Sequence, residues 1–302
     1  MKAIWHTGRR QWRAASAGFV AALFLLLGGT AAAQTGIANT KHNLGSSSAA
    51  GNNSVGETAE VCVFCHTPHG GSTSAPVPLW NKRLSPDGSP AGGGTYTTYA
   101  SLGTPSLDGT VAPVGSISLA CLSCHDGTQA MDNIINAPGS GQLLDNGGDV
   151  NGRPYTWASP GNSVDTFGRL ISGAAAIGTD LSNDHPIGIQ YCGGGVGATG
   201  AIANCRDQDF NPLQTAVINN NNVFWVETGG GGKQRTDLPL YVRTAASTGG
   251  TDLGPLVECG SCHDPHVSTS QPGPTGTGRV AGETFLRISN ASSAVCTACH
   301  VK

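Results

Sequence analysis

Bulky and charged side chains are scarce in this 302-residue chain: aromatics make up 6 % and charged residues 12 %, while glycine reaches 45 residues. A core made of side chains alone would be thin at this length, so the composition implies that large flat cofactors fill part of the interior. Positive charge is not in excess either, with 16 basic against 19 acidic residues, which argues against a nucleic-acid surface. Methionine is nearly absent, represented only by Met1 and Met131. No amphipathic pattern of ordinary helix length is evident.

The one long apolar run lies at the start. Lys2, Arg9, Arg10 and Arg13 precede an apolar stretch from Ala14 to Leu27, followed by Ala31-Ala32-Ala33. A basic start, a run too short to span a bilayer and a small-residue site read as a secretory signal over residues 1–33, with a membrane anchor as the alternative. Its removal takes four of the basic residues and none of the acidic ones, leaving a mature net charge of −7 and no stable membrane span. Export places the ten cysteines in an oxidising compartment.

Eight of those cysteines fall into four C-x-x-C-H motifs: Cys62-Cys65-His66, Cys121-Cys124-His125, Cys259-Cys262-His263 and Cys296-Cys299-His300. This spacing is the attachment signature of c-type haem. Two thiols three positions apart reach the two vinyl groups on one porphyrin edge, and the following imidazole addresses the iron. Four zinc half-sites are the main alternative. A thioredoxin-like motif would be single and set in a βαβ unit, which is missing. Cys192 and Cys205 remain, and a disulfide is their expected use in an exported protein, free thiols being the alternative.

Each haem iron takes a second axial ligand. Met131 cannot serve four irons. Outside the motifs and the leader stand His42, His69, His185 and His266, four histidines for four irons. His69 is three residues beyond His66, a span of about 10 Å at most, too short to round the porphyrin edge, so His69 is expected on a neighbouring haem and His266 likewise. His42 lies near the mature N-terminus in a polar stretch; it has the reach either to bridge to another copy of the chain or to fold back on its own.

The order of sites repeats. A free histidine, a C-x-x-C-H-x-P-H motif and a second C-x-x-C-H occur once from His42 to His125 and once from His185 to His300. The expected fold is therefore mostly coil with short helices and few strands, organised around four c-type haems as a duplicated two-haem module. The expected division is a signal over 1–33, a first two-haem module over 34–140, a Gly/Asn-rich insert over 141–250 carrying His185 and the Cys192/Cys205 loop, and the second pair of motifs over 251–302. Short helical turns are expected to begin at Leu119-Ala120 and Val295, a strand at Val223–Val226, and a turn at Asn183–Ile187 presenting His185.

Cys62-Val63-Phe64-Cys65-His66-Thr67-Pro68-His69 and Leu119-Ala120-Cys121-Leu122-Ser123-Cys124-His125-Asp126-Gly127, with Lys41-His42-Asn43-Leu44 and Asn183-Asp184-His185-Pro186-Ile187, resemble the secreted tetrahaem cytochromes of metal-reducing bacteria. Some of these polymerise into extracellular filaments. The resemblance spans Lys41 to His300 through its motifs and, Asn183–Ile187 apart, has no counterpart between about Asp145 and Leu253. It implies four covalently attached c-type haems, electron transfer without catalysis, and an extracellular or cell-surface location. It also implies a homopolymer with a ligand shared between subunits, redox partner cytochromes, and extracellular electron acceptors such as metal oxides. A soluble periplasmic shuttle is the nearer alternative, and a haem reductase with one open iron the more distant.

Overall fold

Asn219 and Asn220 turn the chain back on itself with φ of +49° and +62°. Positive φ at both central residues is the two-residue turn whose twist suits a hairpin, and asparagine tolerates it. The turn joins β4 (Gln214–Ile218) to β5 (Asn221–Val226), paired antiparallel from Ile218↔Asn221 to Gln214↔Trp225. The chain continues through β6 (Leu238–Arg243) and β7 (Leu253–Val257), and the short β3 (Ile189–Gln190) closes the far edge. The strand order is β3-β7-β6-β5-β4, all pairs antiparallel. A separate two-stranded sheet pairs β1 (Ser54–Val55) with β2 (Trp157–Ala158).

These elements come from a computed structural model, which describes residues 36–49, 51–85, 88–138, 155–244, 253–267 and 285–301. The expected signal segment lies outside the described residues. Among the described residues no helix is long and apolar enough to cross a membrane.

The expectation of a mostly coil chain, organised around four haems as a duplicated two-haem module, is corrected by this architecture. The chain is β-rich, with a five-stranded antiparallel sheet carrying its own side-chain core. Phe224, Val226, Leu238 and Leu240 project from alternate positions onto one face of the sheet, where they meet Tyr191, Leu213 and the Cys192–Cys205 disulfide. Nothing in the first half of the described chain repeats this sheet. Strand-forming residues in the second half bury themselves against one another there. Smaller apolar clusters, one of Leu44, Val55, Phe64, Ile134 and Tyr155, stabilise the first half.

The disulfide pins the loop between β3 and β4. Gly195, at φ +95°, passes against the Asn204 carbonyl, where any Cβ would collide. Joint replacement of Cys192 and Cys205 by alanine is expected to lower stability by about 3 kcal/mol, read from denaturant unfolding. A change below about 1 kcal/mol would mean that the crosslink constrains little.

Three helices carry C-x-x-C-H cysteines: α1 (Ser116–His125), α2 (Cys259–Cys262) and α3 (Ala294–Cys299). Each contains the cysteines of one C-x-x-C-H motif. The helical starts expected near Leu119 and Val295 fall within α1 and α3.

Candidate functional site

In a helical turn, positions i, i+3 and i+4 share one face. The His66 N–H donates to the Cys62 carbonyl at 2.8 Å, His263 to Cys259 at 3.0 Å and His300 to Cys296 at 3.0 Å, while His125 closes α1. Both sulfurs and the imidazole of each motif therefore start from the same side of a turn.

A second feature recurs. An extended segment pairs along the end of each turn, so that the carbonyl of Cys65 accepts from the Asn81 N–H, that of Cys262 from Arg287 and that of Cys299 from Asn211, each at 2.8 Å. At α1 the His125 carbonyl accepts from Ile177, also at 2.8 Å. Side chains reinforce the clamps. Fully buried Asn81 donates to the Val63 carbonyl at 2.6 Å and the Asn136 carbonyl at 2.9 Å, and accepts from the Asn136 N–H at 2.9 Å. Asn211 Nδ2 donates to the Ala298 carbonyl at 2.9 Å.

α1 and α2 are joined by a buried polar network. Glu258 caps α2 in a reciprocal box with Ser261. Its carboxylate accepts from Ser118 Oγ at 2.5 Å and from Arg243 Nε at 3.1 Å, and pairs with the Arg243 terminal nitrogen. Ser118 Oγ accepts from the Cys259 N–H at 3.0 Å, and Arg243 also donates to the Pro113 carbonyl. A register irregularity in β6 at Tyr241–Arg243 accompanies the inward turn of the arginine. Burial pushes the Glu258 carboxyl up, with the guanidinium opposing.

The eight motif cysteines are outside the disulfide, and cysteines of successive motifs influence one another electrostatically. Burial pushes the Cys65 thiol up to about 12, and Cys124 of the second motif adds to the shift. The Cys121 thiol donates to Cys259 of the third motif, which raises Cys121 and lowers Cys259. Cys262 is raised to about 11 by burial and then by Cys296 of the fourth.

The imidazoles are oriented by acceptors at Nδ1. His66 Nδ1 contacts the Pro78 carbonyl at 2.7 Å, His125 Nδ1 the Ala175 carbonyl at 2.7 Å, and His266 Nδ1 the Asp264 carboxylate at 3.4 Å. An acceptor at one ring nitrogen fixes the other as the ligating nitrogen. Burial alone would raise the Asp264 carboxyl, but hydrogen bonds from His266 and the charge of Arg287 hold it well below the usual carboxylate range. His42 Nδ1 is buried without a hydrogen-bond partner. Burial pushes His42 down to about 4, with His125 adding and the Pro265 carbonyl opposing, and burial lowers His125 too. Both rings are thus neutral at pH 7, the form that binds metal.

The residues present fit covalent haem: paired thiols on helical turns, an adjacent imidazole, and ring nitrogens aimed by second partners. Among the described residues no group of three or more His, Cys, Asp or Glu is placed to hold a metal ion. Iron inside a porphyrin asks the protein only for axial ligands.

Of the remaining sequence-derived residues, His69 and His185 are exposed, His263 pairs through its backbone with Leu286, and the His300 ring packs 4.3 Å from Phe210. His42 is no loose arm. Asn43 beside it is fully buried, donating to the Ala38 carbonyl at 2.8 Å and accepting from the Gly45 N–H at 3.1 Å, and Phe285 stacks 4.2 Å from the His42 ring. Met131 is a core residue against Val164 and Leu170. Sequence reasoning missed Asn81, Ser118, Arg243 and Glu258. Only Glu258 left a signal, standing as a capping residue before Cys259 with Ser261 three positions on.

No family model matches the chain, and no curated protein matches it.

Proposed function

We propose that this chain is an exported electron-transfer cytochrome carrying c-type haem on its four C-x-x-C-H turns. The observation that carries the reading is the helical turn at each motif, which starts both thiols and the histidine from one side, as thioether attachment and axial ligation require; the Ser118–Glu258 network would hold the second and third redox groups side by side. Attachment needs no oxidant: each sulfur bonds one vinyl carbon and its proton passes to the other. The haem supplies one-electron exchange between ferric and ferrous iron. The protein holds the imidazoles in fixed orientation through Pro78, Ala175 and Asp264, and keeps the second and third turns in contact through the Glu258–Arg243 network. Four free histidines for four irons argue for a carrier over a catalyst, since a haem reductase needs an open coordination position. Electrons would come from partner cytochromes and leave to extracellular acceptors such as metal oxides.

Carbon monoxide tests the reading, because it binds reduced haem only where a position is open. The reduced protein is expected to take up no stoichiometric carbon monoxide and to titrate at potentials below those of His/Met cytochromes. One carbon monoxide bound per chain would favour the reductase, and the absence of any haem absorbance would end the haem reading.

A further inference from the structure

Two pairs of histidine rings lie at nearly the same separation. His42 and His125 have ring centres 6.1 Å apart with planes at 86°, and His66 and His266 have ring centres 6.0 Å apart with planes at 20°. Each pair joins one C-x-x-C-H histidine to one free histidine. A histidine nitrogen lies about 2 Å from a metal it binds, so two imidazoles on opposite sides of one iron bring their ring centres to about 6 Å. In both pairs the motif histidine has Nδ1 occupied by a carbonyl, leaving the other nitrogen for iron.

Resting on the proposal that the turns carry haem, we propose that His42 and His125 are the two axial ligands of one iron and that His66 and His266 are the two axial ligands of another. The first haem then takes its second ligand from the third motif's C-x-x-C-H-D-P-H segment, and the second takes its own from the N-terminal stretch. The long insert between them is closed by iron at both ends. His42 ligates within its own chain. A ligand shared between copies would have to be His69 or His185, the two exposed free histidines outside these pairs.

The plane angles give each pair its own spectroscopic signature. In low-spin ferric haem the magnetic anisotropy grows as the two imidazole planes approach perpendicular. The oxidised protein should show a highly anisotropic electron paramagnetic resonance signal from His42/His125 and an ordinary rhombic one from His66/His266. His42→Ala should convert one haem to high spin and remove one highly anisotropic component, while His266→Ala should remove one rhombic component; added imidazole should restore low spin in both. The double variant His42→Ala/His125→Ala should lose one low-spin haem, and His42→Ala/His266→Ala should lose two. If haem is present and His42→Ala leaves every iron low-spin, or removes a rhombic component, the pairing is wrong and the haem reading stands. If His42→Ala/His125→Ala loses two low-spin haems, the two residues serve different irons. A wild-type protein without haem overturns both readings.

Discussion

Glu258→Ala is expected to destabilise the protein by about 3–5 kcal/mol, the cost of leaving one charge of a buried pair unmatched. Glu258 is 1 % exposed and faces Arg243, itself buried. Without the carboxylate the guanidinium keeps, among the described residues, the Pro113 carbonyl, and Ser118 loses its acceptor. The loss is a large share of the stability of an ordinary domain. Replacing both partners, as Glu258→Leu with Arg243→Met, should recover part of it, because no charge is then stranded. The same change should disturb chemistry, since the network holds α1 and α2 together and with them Cys121 and Cys259. Denaturant unfolding checks the first effect and haem content the second. A cost below about 1 kcal/mol would show that the pair is not buried in solution.

Asn81→Ala is expected to cost about 3 kcal/mol. The side chain makes three hydrogen bonds inside the protein, and its loss leaves the Val63 and Asn136 carbonyls and the Asn136 N–H without that partner. Asn81→Asp should be no better, because a carboxylate would meet both carbonyls lone pair to lone pair while matching the N–H alone. Because Val63 sits between Cys62 and Cys65, the first turn should load haem less completely in either variant. Equal haem content and an unchanged unfolding midpoint would contradict the role assigned to Asn81.

A helical turn at each C-x-x-C-H motif was legible in the sequence, because that spacing closes an i, i+3, i+4 turn. The Cys192–Cys205 crosslink was legible because ten cysteines and four C-x-x-C-H motifs leave two over. The strand at Val223–Val226 was legible as a short run of β-branched and aromatic residues. The sheet around it was not. β6 contains Pro239 and β7 contains Gly254 and Pro255, which read as breakers, and β3 finds its strand partner at Leu256 and Val257, far along the chain. The expected duplication rested on motif order, which says nothing about the segments between motifs, and those segments fold differently in the two halves. Asn81 reads as a turn residue until its three partners are seen. Arg243 and Glu258 bear opposite charges on opposite sides of a strand connection, and only the β6–β7 register brings them together. The four histidines outside the motifs were countable and could not be matched to partners, because the approach of His66 to His266 depends on folding alone.

The central claim is that the four C-x-x-C-H turns carry haem. The intact mass of the secreted protein, compared with that of the signal-cleaved polypeptide, tests it most directly. The expected result is an excess equal to four haem groups that survives acid–acetone extraction. A mass matching the bare polypeptide, with the motif cysteines alkylatable or joined as disulfides such as Cys121–Cys259, would contradict it.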